Sequence, residues 1–423
     1  MRVLVTGASG FIGARVVAVL REAGHEAVAA MRHGSAPGTV ACDFSRDLDP
    51  AVWQPRLAGI DAVVNCAGIL REARHDTFQR VHVDAPLALF RACEAAQVRR
   101  VIQLSALGEP EDGEFIASKH RCDQALAELD LDWLVLRPGL VYSAHGAYGG
   151  TTLLRAFAAL PGAIIVPGDG SQRIRPLALE DLVAAIVAAL RRPYAQAQII
   201  ELVGPDVLSL RDYLVAWRRW FGLNAQRTFT TPRWLAHLVV AIGEASGRGP
   251  LCRVIANLLE RGRVGGADAL ACTQALLERA PASLAQALAK RPSDARDLLQ
   301  ARWYFVRPLL LATLALTWIA SGIVGLSISA SAAAAALPAW SPAFVEATSW
   351  ACSAADLTLG IALLIGRATR VVLGLMLVMV ALYTLGIGVL APSHWLDPFG
   401  GLLKNFTLAA VAAALLTMDA PRR

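Results

Sequence analysis

The sequence predicts an α/β chain: a doubly wound parallel sheet, then a small mainly helical segment, then a four-helix transmembrane bundle. Three observations predict it. Short apolar runs alternate with amphipathic stretches from the first residues to about residue 203, the pattern of strands and covering helices in an open parallel sheet. Three glycines spaced three apart, Gly7, Gly10 and Gly13, lie between the first apolar run and the first helical stretch. Long apolar runs crowd the C-terminal end and raise the apolar content to 55%, high for a soluble protein.

Strands are expected at residues 2–6, 27–31, 62–66, 100–105, 133–137 and 199–203, with a short one before Asp43. The first strand enters Thr6-Gly7-Ala8-Ser9-Gly10-Phe11-Ile12-Gly13 and opens a helix over 11–22. In that context Gly7 makes the tight turn, Gly10 lets backbone approach a pyrophosphate, and Gly13 lets the helix pack close to the strand. The helix N-terminus then offers its N–H groups to phosphates. This is a Rossmann-type arrangement, and a nicotinamide dinucleotide is the implied ligand. The second strand ends in Met31-Arg32-His33, without the acidic residue that takes a ribose hydroxyl in NAD enzymes. Arg32 favours a 2′-phosphate, hence NADP(H) over NAD(H). Asp43, in Cys42-Asp43-Phe44, either takes the adenine amino group or caps a turn.

The first half of the chain resembles the short-chain dehydrogenase/reductase superfamily in its extended or atypical, epimerase/dehydratase-like branch, to which the nucleotide-binding accessory subunit of respiratory complex I belongs. The resemblance rests on Thr6 to Gly13, the Asn65-Cys66-Ala67-Gly68 turn, Ser105, Ser118-Lys119, and Arg137-Pro138-Gly139. It implies that Thr6, Gly7, Ser9, Gly10, Phe11, Ile12, Gly13, Asn65, Ala67, Gly68 and Pro138 line the cofactor. It further implies that Ser105 polarises a carbonyl and that Lys119 binds the nicotinamide ribose. The family's tyrosine, four residues before the lysine, is Phe115 here. A phenyl ring has no proton to give, and acid–base catalysis contributes roughly 10²–10⁴-fold. Lysine occurs only at Lys119, Lys290 and Lys404, arginine supplying the other 37 of 40 basic residues. A lysine at the motif position in so arginine-rich a chain argues that the ribose contact is kept. Tyr142, Tyr148 and His120 are candidate substitute donors.

The nucleotide domain is expected over 1–207, a helical substrate-side segment over 208–302 and the membrane domain over 303–423. In the middle segment Trp217, Arg218, Arg219, Trp220, Phe221, Arg233 and Trp234 either face a membrane or pack a small core. Spans are expected at about 309–330, 350–366, 371–390 and 402–418. Arg302 and Arg307, Arg367 and Arg370, and Arg422 and Arg423 flank alternate ends, which puts both termini and the nucleotide domain in the cytoplasm of a bacterial inner membrane. This four-span end resembles the DoxX-like membrane family. Asp356 and Lys404 lie inside spans at similar depth, where they either pair or snorkel to the interface.

The net charge of +6 is spread without a basic block, which disfavours nucleic acid as a partner. Seven isolated cysteines form no Cys-x-x-Cys pair; they read as reduced thiols, and no metal set is expected. The apolar strand turns at Gly7, too early for a secretory signal. Together these imply a membrane-tethered oxidoreductase of the atypical short-chain type, acting on a quinone or another lipophilic carbonyl compound. The alternative is a non-catalytic NADP(H)-binding structural or redox-sensing membrane protein.

Overall fold

Seven strands, β1 (Arg2–Thr6), β2 (Glu26–Met31), β3 (Thr39–Ala41), β4 (Ala62–Asn65), β5 (Arg100–Leu104), β6 (Asp132–Pro138) and β7 (Gln198–Leu202), form one sheet in the order β7-β6-β5-β4-β1-β2-β3. Every pairing in it is parallel. The order reverses between β1 and β4, so a crevice opens there beyond the strand ends, the usual ligand position in such sheets. The strands that end at 65, 104 and 202 stop one residue before their expected ends, although the Cys66 and Ser105 amides still donate to the Thr6 and Leu136 carbonyls of the neighbouring strands at 3.3 and 2.8 Å.

The computed structural model of the chain describes residues 1–98, 100–191, 198–224, 227–232, 234, 238, 240–241, 243, 254, 257, 262–328, 340–366, 368–396 and 400–418. They divide into two units, Met1–Arg302 and Trp303–Arg423. Arg233, Arg367, Arg422 and Arg423, and the expected end of the first span at Ala330, lie outside the described residues.

Strand residues alternate between two cores. Val3 and Val5 face a cluster with helix α1 (Phe11–Glu22) and with Leu182 and Ile186. Leu4 and Val63 face Trp53, Phe90 of helix α2 (Ala85–Ala95) and Leu126 of helix α3 (Glu114–Ala127). A third cluster joins Tyr142, Leu154 and Ile164 to Tyr213, Trp217, Leu284 and Leu288. The middle segment therefore packs with residues 140–178 in one core. Trp217 is fully buried, and Arg218 donates to the Ala158 and Leu160 carbonyls at 3.0 and 2.7 Å. Packing, not a membrane face, is the role of Trp217, Arg218 and Phe221; Trp234 alone among these aromatics is exposed.

Among the described residues, four helices are long and apolar enough to cross a membrane: α4 (Ala295–Ser327), α5 (Pro342–Ile365), α6 (Thr369–Leu390) and α7 (Gly401–Met418). All four start before their expected spans, the first two by more than two turns. Hydropathy misses the charged start of α4, with Arg296 and Asp297, and in α5 the signal is local: Ser341 caps the helix and Pro342 occupies its first position. The second unit is built apolar side out: Leu385 and Val389 are exposed while Ser353, Asp356 and Thr384 are buried.

Candidate functional site

The turn after β1 takes the form its glycines demand. Gly7 has φ +64°, and a Cβ there would lie 2.8 Å from the Cys66 carbonyl carbon. A Cβ at Gly13 would lie 2.3 Å from the Gly7 oxygen. Gly10 is the N-cap of α1, with no capping side chain and no acid in the first turn. The helix end is open to an anion, and the residues present fit a dinucleotide pyrophosphate.

A buried polar ladder crosses the sheet beneath this turn. Thr6 Oγ1 donates to Asn65 Oδ1 at 2.5 Å, and Asn65 Nδ2 donates to Gln103 Oε1 at 2.7 Å. The pairs Thr6–Asn65 and Asn65–Gln103 are in register across β1, β4 and β5. Asn65 Oδ1 also accepts the Ala67 amide at 3.2 Å, so Asn65 holds the Cys66-Ala67-Gly68 turn from inside. Gln103 was not among the sequence candidates; its signal was a glutamine within the apolar run Val101-Ile102-Gln103-Leu104 of β5.

Lys119 on α3 is buried and donates to the Ala67 and Leu104 carbonyls at 3.0 and 3.2 Å. Burial pushes its pKa down from the ordinary lysine value. A Cβ on Gly68 would lie 3.2 Å from Lys119 Nζ and 3.5 Å from His82 Nε2, so both side chains close around this turn. His82, also missed from sequence, stands in a π-helical turn, Gln79–Asp84, of the kind often found at functional sites. Its Nε2 accepts the Ile69 amide at 3.0 Å. That fixes the proton on Nδ1, which lies 2.8 Å from Ser118 Oγ. Ser118 in turn donates to the Phe115 carbonyl at 3.0 Å. Burial and the nearby Lys119 charge hold the His82 pKa well below the ordinary histidine value. The Phe115 ring packs edge-on against His82 and Phe78, with centroids 5.5 and 6.2 Å away.

Ser105, beyond the end of β5, donates to Asp123 Oδ2 at 2.8 Å. Arg137 Nε and Nη2 reach the same oxygen at 3.0 and 2.9 Å. Asp123 Oδ1 is enclosed and bonded to no described group. Burial raises the Asp123 carboxyl above the ordinary range, with Ser105 and Arg137 pulling the other way. Pro138 is buried, and its carbonyl accepts the Leu107 amide at 3.1 Å.

Arg32 is half exposed at the end of β2, with Nη2 2.7 Å from Asp76 and Nε 3.9 Å from Asp43. Asp43 Oδ1 accepts from the Ser45 amide and hydroxyl at 3.0 and 2.8 Å, the turn-capping geometry.

Residues 3–202 match the NAD dependent epimerase/dehydratase family. A 3-diazoavenalumate denitrifying reductase of a Streptomyces species is 30% identical over 289 residues, 59% of this chain and 93% of that one. The chain belongs to the NAD dependent epimerase/dehydratase family. Residues 315–413 add a DoxX-like domain. A ceramide reductase of Caulobacter vibrioides is 28% identical over 203 residues, 45% of this chain and 61% of that one. A Mycobacterium tuberculosis protein is 26% identical over 221 residues, 52% of this chain. The matched region spans only 23% of that protein's length. UDP-glucuronic acid 4-epimerase from Bacillus cereus, in complex with NAD, shares the fold at TM-score 0.51 and 17% identity, over 71% of this chain and all of that one.

Within the epimerase-family domain the substitute donors are scattered. Tyr142 is buried against Tyr213 and Trp217, ring centroids 6.4 and 6.2 Å away, a core position that pushes its phenol pKa up. Tyr148 stacks on Phe11 at 6.1 Å, over the glycine turn. His120 is buried, with its Nε2 enclosed and bonded to no described group. In the DoxX-like domain Asp356 does not pair with Lys404. Its carboxylate accepts from Ser321 Oγ at 2.7 Å and from the Tyr383 hydroxyl at 2.8 Å, while Lys404 is exposed on α7. Neighbouring hydroxyls on two other helices satisfied the acid, and depth along a helix could not reveal which faces meet.

Proposed function

We propose that the chain is a membrane-tethered NAD(P)(H)-dependent oxidoreductase of the atypical short-chain type, acting on a lipophilic carbonyl compound such as a quinone. The observation that carries the reading is the buried Lys119 ammonium at the ends of β4 and β5, beside the glycine turn. A charge is buried only where partners or ligands compensate it, and a ribose supplies hydroxyl acceptors. When bound, the nicotinamide would supply or accept a hydride. The glycine turn, Asn65, Ala67, Gly68 and Pro138 would hold the dinucleotide, and Ser105 would face the reacting oxygen. The names of the Streptomyces and Caulobacter relatives, both reductases, support this chemistry.

NADP(H) is the proposed preference. Arg32 presents an exposed guanidinium at the end of β2, and Asp43 and Asp76 hold it in place. Arg32→Ala should raise the Kd for NADPH about tenfold, the worth of one charge-assisted contact at about 1.5 kcal/mol, and leave NADH unchanged. Equal effects on both, by calorimetry, would remove the preference. The proposed location is the bacterial inner membrane with the nucleotide domain and both termini cytoplasmic, from the arginines at alternate span ends.

Titration of the full chain in detergent with NADPH and NADH, followed by absorbance during incubation with phenanthrenequinone and a short-chain ubiquinone, tests the activity. Tight binding without turnover favours the second reading, a non-catalytic nucleotide-binding protein. Phe115 is the observation behind that alternative. A mitochondrial NADH dehydrogenase subunit of Arabidopsis thaliana, 26% identical over 242 residues, 52% of this chain and 59% of that one, is consistent with it.

A further inference from the structure

We propose that Ser105 and Asp123 form a proton relay that serves in place of a phenol at position 115. The inference rests on the oxidoreductase reading above. Ser105 lies at the ligand end of β5, next to Leu104, whose carbonyl Lys119 holds at 3.2 Å. Its hydroxyl proton is directed into the protein, onto Asp123 Oδ2 at 2.8 Å. That leaves the lone pairs of Ser105 Oγ free to accept a proton from the ligand side. Asp123 is fully buried, and three donor groups from Ser105 and Arg137 converge on one oxygen while Oδ1 stays unbonded to any described group. A buried carboxylate with one idle oxygen is more basic than one bonded at both. Tyr142, by contrast, is locked in the aromatic core, and the Phe115 ring carries no exchangeable proton.

The observed arrangement is the proton-accepting form. A substrate alcohol loses its O–H proton to Ser105 Oγ as the Ser105 proton passes to Asp123 Oδ2. The freed oxygen pair forms the carbonyl π bond, and the C–H bond breaks with its electron pair leaving as hydride, for which an oxidised nicotinamide held by the glycine turn and Lys119 would be the acceptor. Reduction of a carbonyl is the same path reversed: the new hydroxyl takes the Ser105 proton, and Asp123 ends as the carboxylate. Arg137 from β6 keeps Asp123 oriented, and Lys119, His120 and Cys122 on the same helix are the other titratable groups whose electrostatics couple to it.

The test uses the full chain in detergent, with NADPH and phenanthrenequinone as probes and with Ser105→Ala, Asp123→Asn and Phe115→Tyr variants. Ser105→Ala leaves the Asp123–Arg137 pair intact. It should lower kcat at least about 100-fold, in the range of acid–base catalysis, with the NADPH Kd unchanged. Asp123→Asn should match it, and adding Phe115→Tyr to either should restore at least about tenfold of the loss. Independently of turnover, pH-difference infrared spectra of the unliganded protein should show a protonated-carboxyl band absent in Asp123→Asn. In Ser105→Ala that band should titrate at higher pH, since the carboxylate loses a donor. Turnover surviving both single variants, or a band unmoved by Ser105→Ala, overturns the relay alone. A wild type that binds NADPH and reduces no carbonyl probe overturns the enzymatic reading and the relay with it.

Discussion

Phe115 fills the space above His82 with a ring that cannot exchange a proton, and the polar groups around it are all committed elsewhere. His82 clamps the Ile69 amide, Ser118 bridges it to the Phe115 carbonyl, and Lys119 clamps the Ala67 carbonyl. The Gly68 turn is thus held from two sides by side chains on two elements. A measurable consequence lies in the acid stability. Burial and the Lys119 charge hold the folded pKa of His82 well below the ordinary histidine value of about 6.5, so below that pH the unfolded chain takes up a proton that the folded chain refuses. Stability is complete above that pH and falls as pH drops toward the folded value, by up to about 1.4 kcal/mol per unit. His82→Asn should flatten the slope of unfolding free energy against pH below 6.5. His25 and His120 shift in the same direction and should keep part of it, but an unchanged slope would refute the assignment.

Elements in both units are set by how closely backbones approach. Gly13 seats α1 against the turn after β1, and in the membrane unit Gly322, Gly325 and Gly360 bring α4 and α5 together. A Cβ on Gly360 would lie 2.7 Å from Ile319 Cγ1 and 3.0 Å from the Ala315 carbonyl. Close packing through small residues is how helices associate where lipid offers no hydrophobic drive. Gly374 on α6 has nothing within 4 Å of its Cβ position. Gly360→Leu should therefore lower the melting temperature of the protein in detergent by several degrees, whereas Gly374→Leu should change it little. Equal effects would mean that glycine packing does not organise this bundle.

At the scale of the molecule, residues 208–302 complete a core that begins before them. Tyr142 and Ile164 pack against Tyr213, Trp217, Leu284 and Leu288, and Asp297 accepts from Arg155 at 3.4 Å and from Arg291 at 3.0 Å. A fragment of residues 1–302 should fold and bind the dinucleotide with the affinity of the full chain. A fragment of 1–207 exposes the third core and should aggregate, even though it contains every residue expected to touch the cofactor. Soluble, binding-competent 1–207 would show that the sheet is independent of the segment behind it.

The sequence by itself determined what is local or periodic. The parallel sheet, the glycine turn, the four spans and the identity of Phe115 and Lys119 follow from spacing, because each depends on neighbours a few residues away. Only the tertiary structure decided which distant side chains meet. Asp356 lies beside Ser321 and Tyr383 rather than Lys404, Trp217 lies in a core, and Ser105 donates its hydrogen bond to Asp123. His82 and Gln103 escaped notice for the same reason. Their roles come from partners 13 to 38 residues away in the chain, and no pattern along one strand or one helix carries the rotation that brings those partners together.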